Sequence, residues 1–421
     1  MTPASTTALA AAAFAAAILA ISPGAARAGE LEVLHWWTSG GEAKAAAALK
    51  ATMQQKGHTW KDFAVAGGGG DAAMTVLKSR VVSGNPPAAA QIKGPALQEW
   101  AAEDVLVPLD DVAATGHWDT LLPKVVADGM KYHGHYIAAP VNVHRVNWLW
   151  INPAALKKAG AKVPTNWDEF FATAEALKKA GLVPVARGGQ GWQDFTTFES
   201  VVLGQQGAAF YAQALVKLDP AALAGPQMLK SLETFKRVKA YTDRNANGRD
   251  WNLATAMVIR GEAGMQLMGD WAKGEIVAAG KVPGQDVLCA PAPGSAAAFT
   301  YNIDSFAFFK QKSAANAQAQ KDLATAILSP SFQELFNLAK GSIPVRPDVK
   351  LDKFDACARA SAQDFAAASR AGTLVPSIAH DMAVAPATQG ALKDVVSQFW
   401  SDDRMTATDA QKRLVAAAKT R

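Results

Sequence analysis

The chain has 421 residues, too many for one ordinary hydrophobic core, and 50% of them are hydrophobic, so we expect two folded domains and little disorder. The formal net charge is only +5, and basic residues such as Lys157 and Lys158 are scattered through predicted helices. Because no basic cluster is interleaved with aromatic residues, the composition argues against nucleic acid as a partner.

The N-terminal segment has the pattern of a secretory signal peptide. Residues 8–21 are apolar, fewer than the roughly 20 residues that span a membrane, and Ala26 and Ala28 supply a small-residue cleavage site. The segment departs from the pattern in one respect, since no Lys or Arg precedes the apolar run. No cysteine lies directly after the cleavage site, so a lipid anchor is not indicated. We expect residues 1–28 to be removed on export to the periplasm.

A strand is predicted over residues 31–37, and the run WWTSGGE follows at 36–42. Two adjacent indoles and a carboxylate are typical of a carbohydrate site, because a sugar offers an apolar C–H face and a rim of hydroxyl groups. In the alternative interpretation, Trp36 and Trp37 belong to the core and Glu42 only closes a capping box with Ser39. These residues alone leave both interpretations open.

The next segments alternate between helix and strand, which is typical of a parallel sheet. The predictions are a helix over 42–53, a strand at 63–65, a glycine turn at 67–70, a helix over 72–83 and a strand over 88–92. Ligands of parallel sheets lie beyond the C-terminal ends of the strands, where Gln91 and Lys93 fall. The glycine run lacks the Lys and Ser/Thr of a P-loop, so nucleotide binding is not supported.

Two later extended segments, 136–146 and 299–309, suit crossings between domains. Helices are predicted at 164–179, 229–242, 254–260, 322–328, 331–339, 355–371, 387–400 and 407–419, with strands at 183–186 and 287–290. Asp304 in the second crossing could merely start a turn, but alternating polar residues in an apolar strand favour a functional role. Trp192 follows a glycine-rich stretch and is expected in a loop.

The two cysteines, Cys289 and Cys357, can form a disulfide or remain buried free thiols, and the presumed oxidising compartment favours the disulfide. No CxxC motif or His-rich cluster occurs, so neither a metal nor another cofactor is expected.

A series of short motifs recurs along the chain. In order they are WWTSGGE at 36–42, VSGNPP at 82–87, PTNWDEF at 164–170, LKKAGLVP at 177–184, RGEAGM at 260–265, GDW at 269–271, APAPG at 290–294, SPSFQ at 329–333 and GSIPVR at 341–346. Each is a weak signal alone. The ordered set resembles the bacterial solute-binding proteins of ABC sugar importers (extracellular solute-binding family 1), over nearly all of the chain after the signal. The tandem tryptophans and a histidine near the end are similar to the glucose-binding subgroup.

The resemblance implies an α/β, two-lobed periplasmic binding protein fold with hinge-linked lobes and three crossings between them. The N-terminal lobe would contain residues 29–139 and 302–345, and the C-terminal lobe residues 140–301 and 346–421. Such a protein is expected to be a monomer whose lobes close over the ligand.

The resemblance also implies a set of sugar-binding residues. They are Trp36, Trp37, Glu42, Gln91, Lys93, Trp251, Trp271, Asn302, Asp304, Lys340 and His380. Two of them have a simpler interpretation. Lys340 could be a cation that neutralises the dipole at a helix C-terminus, and His380 could be a surface residue.

The expected function is binding without catalysis. The protein would capture a monosaccharide, with D-glucose as the leading candidate, and deliver it to the permease subunits of the importer. Galactose, mannose or maltose are alternative ligands. The competing hypothesis is an exported carbohydrate-active enzyme that uses Glu42 and Asp304 as its carboxylate pair. No second carboxylate lies close to either residue in the sequence, which disfavours the enzyme.

Overall fold

The computed structural model describes residues 28–243 and 245–420. Most of the predicted signal peptide, residues 1–27, therefore lies outside the described residues. The strands are β1 Glu30–His35, β2 Thr59–Ala64, β3 Ala89–Gln91, β4 Lys131–Tyr132, β5 His135–Tyr136, β6 Ala138–Pro140, β7 His144–Arg145, β8 Trp148–Ile151, β9 Val183–Val185, β10 Ala263–Leu267, β11 Leu288–Pro291, β12 Phe299–Asn302, β13 Ser305–Phe308 and β14 Leu374–Pro376.

Helices surround these strands. They are α1 Gly40–Gln55, α2 Asp71–Val82, α3 Ala96–Ala102, α4 Asp110–Thr115, α5 Trp118–Leu121, α6 Lys124–Gly129, α7 Pro153–Ala159, α8 Trp167–Lys179, α9 Gly191–Tyr211, α10 Pro220–Ala224, α11 Pro226–Val238, α12 Trp251–Ile259, α13 Ala272–Ala278, α14 Ala314–Ile327, α15 Pro330–Lys340, α16 Ala356–Ala371, α17 Pro386–Ser401 and α18 Ala407–Ala417. A π-helix spans Ala212–Val216, and a 3₁₀ helix spans Lys239–Tyr241. Among the described helices, none is long and apolar enough to cross a membrane.

A five-stranded sheet in the order β2-β1-β3-β13-β6 forms the centre of the first lobe. Strand β1 pairs in parallel with β2 and β3, as the alternation of helix and strand predicts, and β13 returns antiparallel between β3 and β6. Helices α1, α14 and α15 pack on this sheet through one hydrophobic cluster that includes Leu49, Leu323 and Phe336. Strand β1 ends at His35, so the tandem tryptophans directly follow it at the C-terminal edge of the sheet.

A four-stranded sheet in the order β11-β8-β10-β9 forms the centre of the second lobe. Successive side chains of a strand point to opposite faces, and β8 shows the consequence. Trp148 and Trp150 join one hydrophobic cluster with α12 and α13, whereas Leu149 and Ile151 join another with α8, α9 and α17. The sheet is therefore covered on both faces. Helix α8 begins after Asn166, whose side chain accepts a hydrogen bond from the Glu169 N–H.

The chain crosses between the lobes in three places. The first crossing connects β6 to β8 through β7, the second connects β12 to β13, and the third follows Ile343, which pairs with Val143 of the first crossing. The predicted extended segment 299–309 is two strands that belong to different sheets, with residues 303 and 304 between them. The two-lobed α/β fold with three crossings is thus confirmed, and the lobe boundaries at residues 139, 301 and 345 stay predictions.

The expectation that Trp192 lies in a loop is wrong. Trp192 is in the first turn of α9, and the glycine-rich stretch before it is a short connection from β9 to this helix. The helices α3 to α6 were not predicted, because each has only four to seven residues and shows little periodicity.

The disulfide interpretation of the cysteines is confirmed: Cys289 of β11 is bonded to Cys357 of α16. The bond joins the edge strand of the second sheet to a helix 68 residues further along the chain. Cys357 is buried in the same cluster as Trp148 and Trp150.

Replacing both cysteines by serine (Cys289→Ser with Cys357→Ser) should lower the free energy of unfolding by about 2–4 kcal/mol, because the bond restricts the unfolded chain over a long loop. Urea unfolding of the oxidised wild type and of the double variant measures the difference. A reductant should destabilise the wild type and leave the variant unchanged. Equal midpoints for the oxidised wild type and the variant would contradict the prediction.

Candidate functional site

A cavity of about 30 Å³ lies between the two lobes. It is lined by Trp36, Trp37, Glu42, Gly68, Gly69, Lys93, His144, Trp192, Trp251, Trp271, Asn302, Asp304, Lys340 and His380. Every residue of the predicted sugar-binding set except Gln91 is therefore at one place, and their roles in binding stay predictions. The strand ends, helix ends and crossings that carry these residues converge there.

Aromatic rings from the second lobe form one side of the cavity. The ring centroids of Trp271 and His380 are 4.8 Å apart, and Trp192 lies 5.5 Å from His380 and 6.3 Å from Trp271. Trp251 begins α12 and lies in the same hydrophobic cluster. These rings offer apolar faces at the edge of a polar cavity.

The two tandem tryptophans have different surroundings. Trp37 packs against Phe306 and Phe336 with ring-centroid distances of 5.5 and 5.2 Å. Most of its ring therefore belongs to the hydrophobic core, as the alternative interpretation predicts. Trp36 lies against the glycine turn, where a Cβ built on Gly70 would come within 3.0 Å of its ring. The ammonium group of Lys93 lies 5.0 Å from the Trp36 ring centroid. Trp36 is therefore a flat aromatic surface beside a charge.

Glu42 does not close a capping box. Ser39 is the N-cap of α1, but its side chain makes no capping hydrogen bond, and Glu42 Oε1 instead accepts a hydrogen bond of 3.0 Å from Lys340 Nζ. Lys340 is the last residue of α15, as the dipole interpretation requires, but its side chain is buried. The ion pair therefore joins the beginning of one helix to the end of another at the cavity.

A histidine that bridges two carboxylates lies at the centre of the crossing region. His144 Nδ1 donates to Asp270 Oδ1, and His144 Nε2 lies 3.2 Å from Asp304 Oδ2. Asp270 also accepts a 3.0 Å hydrogen bond from the Arg145 backbone N–H. All three charged groups are almost fully buried, so each depends on the others for compensation.

Burial alone would lower the pKa of His144, but the charge of Asp270 and the hydrogen bonds to both carboxylates raise it above its usual value. Burial alone would raise the pKa of Asp304. The hydrogen bond and charge of His144 outweigh burial and, with the nearby lysines, hold the pKa of Asp304 well below its usual range. The two carboxylates therefore favour the protonated form of His144, and His144 in turn favours the ionised form of Asp304.

Gln91 does not line the cavity but forms hydrogen bonds with two residues that do. Its Nε2 donates to Asp304 Oδ1 at 3.2 Å, and its Oε1 accepts from the Trp36 backbone N–H at 3.5 Å. Asn142 Nδ2 donates to the other oxygen of Asp304 at 3.1 Å. Asn302 lines the cavity, and its Oδ1 has no hydrogen-bond partner among the described residues. The carboxylate is thus held by amides, while one amide oxygen at the cavity is left without a partner among the described residues.

His380 is buried, so the surface interpretation is wrong. Burial, and then the positive charges of Lys93 and His144, lower its pKa well below the usual value. The ring is therefore neutral, and its Nε2 has no partner among the described residues.

The sequence predicts no role for His144, Gly68 or Gly69, which also line the cavity, and it leaves Trp192 as a candidate outside the predicted set. One signal pointed to His144: Asn142 and His144 alternate in the first crossing just as Asn302 and Asp304 alternate in the second. Trp192 rests on the glycine turn, where a Cβ built on Gly69 would come within 2.9 Å of its ring. That contact joins the two lobes and could not be read from either segment alone.

The family profile described as "Bacterial extracellular solute-binding protein" matches residues 36–334. The chain belongs to this family. The match begins at the first tandem tryptophan and extends beyond both Asn302 and Asp304.

Similar proteins align with this chain over nearly its whole length. A "Probable sugar-binding periplasmic protein" of Rhizobium meliloti (strain 1021) is 49% identical over 406 residues, which are 96% of this chain and 97% of that protein. A protein of the same description from Brucella suis biovar 1 (strain 1330) is 49% identical over 389 residues, 92% of either chain. The solved structure of the bacterial solute receptor AcbH, described as preferring β-D-galactopyranose, has a TM-score of 0.79 at 20% identity and covers 93% of this chain and 98% of that one.

Replacing Lys340 by methionine should lower the free energy of unfolding by about 3 kcal/mol, because it leaves the Glu42 carboxylate buried without its cation. The double variant Lys340→Met with Glu42→Gln removes both charges and should recover at least about 1 kcal/mol of that loss. Urea unfolding of the wild type, both single variants and the double variant closes the cycle. If the double variant is less stable than Lys340→Met alone, the ion pair does not have the role described here.

Proposed function

We propose that this protein is the periplasmic substrate-binding component of an ABC sugar importer and that it captures a monosaccharide, D-glucose first, between its two lobes. The observation that carries the proposal is the cavity between the lobes, where Trp36 and Trp271 lie beside Glu42, Asp304 and Lys93. Indole faces pack on the C–H face of a sugar, and charged groups bind its hydroxyls.

The mixture of charges supports a ligand rich in hydroxyl groups. A hydroxyl both donates and accepts, so carboxylates and ammonium groups can each serve one. In a buried site, an epimer with one misplaced hydroxyl leaves a charge without its partner, which costs about 1–3 kcal/mol or more. Such a site is expected to distinguish glucose from galactose and mannose.

The small size of the cavity supports binding by lobe closure. A cavity of about 30 Å³ has room for roughly two or three water molecules, so a sugar ring enters only when the lobes move apart. The backbones also approach closely, since a Cβ built on Gly41 of α1 would lie 2.6 Å from the Gly274 Cα of α13. Closure over a sugar would exclude water and strengthen each polar contact.

Membership of an extracellular solute-binding family and the predicted signal peptide at residues 1–28 together support export to the periplasm. There the partner would be the permease of the importer, which distinguishes the closed, loaded form from the open form.

One observation favours a disaccharide as the alternative ligand. A second cavity of about 440 Å³ adjoins the first and shares Trp36, Lys93 and Trp192 with it. This volume is within the usual range of small-molecule sites, about 300–1,000 Å³. A second sugar unit, as in maltose, could extend into it.

The geometry does not favour the enzyme hypothesis. A glycosidase needs one carboxylic acid that donates a proton at neutral pH and a second, ionised carboxylate. Glu42 is ion-paired with Lys340, and the pKa of Asp304 is held well below its usual range by His144. Asp304 is therefore not prepared to act as the acid, and the Glu42 carboxylate is engaged by Lys340.

Calorimetric titration of the ligand-stripped protein with D-glucose should give a 1:1 isotherm, with much weaker binding of galactose and mannose. Asp304→Asn keeps the shape of the side chain and removes its charge, so it should weaken glucose binding by about tenfold or more, or 1.4 kcal/mol. Asp128→Asn, on the exposed face of α6, is the matched control and should bind like the wild type.

Heat with maltose and none with glucose would support the proposal of a sugar receptor but would change its ligand from a monosaccharide to a disaccharide. No heat with any of the four sugars, or hydrolysis of maltose, would reject the proposal. Equal affinities of the wild type and Asp304→Asn would remove Asp304 from the site.

Adding a methyl group at residue 41 should weaken sugar binding without lowering the stability of the fold. Gly41→Ala favours helix α1 and should leave the unfolding temperature unchanged or higher, but the methyl group blocks the approach of Gly274 and should weaken glucose binding by about tenfold. Gly40→Ala is the matched control, since a Cβ there meets only the Glu275 carboxylate at 3.4 Å. Calorimetry and thermal unfolding of both variants make the comparison. The same affinity for both variants would contradict closure at this contact.

A further inference from the structure

A buried carboxylate lies behind the site without touching its cavity. Glu199 of α9 is almost fully buried, and its Oε2 accepts hydrogen bonds from the Tyr211 hydroxyl at 2.9 Å and from the backbone N–H groups of Ile378 and Ala379 at 2.9 and 3.3 Å. Its Oε1 accepts from the Ser377 hydroxyl at 2.6 Å. The two oxygens therefore differ, since one has three donors and the other has only a hydroxyl that can also accept.

The Ser377 hydroxyl connects this carboxylate to the cavity. Ser377 Oγ lies 2.8 Å from His380 Nδ1, and the His380 ring lines the cavity together with Trp192 and Trp271. Glu199, Ser377 and His380 thus form a continuous hydrogen-bonded chain that ends at His380 Nε2.

The directions of these hydrogen bonds follow from counting protons. An ionised carboxylate only accepts, so the single proton of Ser377 points to Glu199. The hydroxyl oxygen must then accept from His380, which places the ring proton on Nδ1. Because the ring is neutral, Nε2 carries a lone pair and can only accept.

We propose that Glu199 is a positioning residue that acts through Ser377 to hold His380 as the Nδ1–H tautomer, so that its Nε2 accepts a hydrogen bond from a hydroxyl of the ligand. The backbone N–H groups of residues 378 and 379 fix the carboxylate, and the carboxylate fixes the direction of the chain. The consequence for sugar binding rests on the proposed function, whereas the tautomer is a property of the sugar-free protein.

One proton would reverse this chain. If Oε1 of Glu199 takes a proton from solvent, it donates to Ser377, and Ser377 donates to His380 Nδ1. The ring proton then leaves Nδ1 for solvent, and a solvent proton binds Nε2, so the net uptake is one proton. His380 would present a donor where it had presented an acceptor.

Burial raises the pKa of Glu199 to about 7, against the hydrogen bonds that lower it, so the reversal falls near neutral pH. The acceptor form is present above this pKa and is lost as the pH falls through it. The titratable groups that face the chain are Lys93, His144, Asp304 and Lys393 around His380, and Tyr211 with Tyr301 on the Glu199 side.

The test is ¹⁵N NMR of the sugar-free protein labelled at histidine, with the His380 signals identified by their loss in His380→Gln. At pH 8 the wild type should show a protonated Nδ1 and an unprotonated Nε2, and the protonated nitrogen should change as the pH falls through about 7. In Glu199→Gln, the amide oxygen replaces Oε2 among its three donors and the NH₂ group faces Ser377. This variant should therefore show the Nε2–H form at every pH and bind glucose about tenfold more weakly.

Two further variants separate the chain from general packing. Tyr211→Phe removes a donor to Oε2 that lowers the pKa of Glu199 but leaves Ser377 in place, so the change of tautomer should persist and move to higher pH. Ser377→Ala breaks the chain and should remove the pH dependence of the tautomer. An Nε2–H form of the wild type at pH 8, or the same tautomer in the wild type and Glu199→Gln, would overturn the proposal. The predicted tautomers without any sugar binding would keep it and reject only the proposed function.

Discussion

The structure of the site depends on one buried histidine that lies between two carboxylates. His144 belongs to the first crossing, Asp270 follows β10 of the second lobe, and Asp304 lies between β12 and β13 in the second crossing. Burying charged groups away from water costs several kcal/mol for each one, and only close contacts between opposite charges compensate for that cost. The three segments are therefore held in one arrangement. The lining residues Trp271 and Asn302, one and two residues from these carboxylates in sequence, take their positions from it.

Glycine makes the close approach of the lobes possible. The Gly41 and Gly274 backbones nearly touch, and Trp192 of the second lobe rests on the glycine turn of the first. Side chains at these positions would hold the lobes apart. Glycine costs up to about 1 kcal/mol in an ordered element, so the sequence gives up some stability for this contact. Charge pairing positions the polar groups of the site, and the absence of Cβ atoms at these glycines lets the two lobes that carry them approach closely.

The parts of the site that sequence predicts are those at the ends of recognisable elements. Periodicity predicts that Trp36 lies at the end of a strand and Lys340 at the end of a helix, and the resemblance to a family assigns Lys340 to the site. Asp304 was found because a polar residue is conspicuous in an apolar strand. The resemblance to a family supplied the two lobes and the three crossings.

Other parts depend on contacts between distant segments. His144 lies in a strand of two residues, too short to show a pattern, and its pKa is raised only because Asp270 and Asp304 meet there. Trp192 follows glycines that suggest a loop, yet it begins a long buried helix. The position of Gln91 was predicted, but its place behind Asp304 depends on the register between β3 and β13. Side-chain partners of this kind are fixed by tertiary structure and not by local sequence.

The disulfide has a topological consequence. Both cysteines belong to the second lobe, but the 68-residue interval between them contains β13, α14 and α15 of the first lobe. The covalent ring therefore passes through both lobes and across the hinge twice. The bond therefore links two parts of the second lobe that are separated in sequence by a passage through the first lobe. Once it has formed, a protease that cuts a first-lobe loop within the ring leaves a nicked chain whose two pieces remain covalently joined.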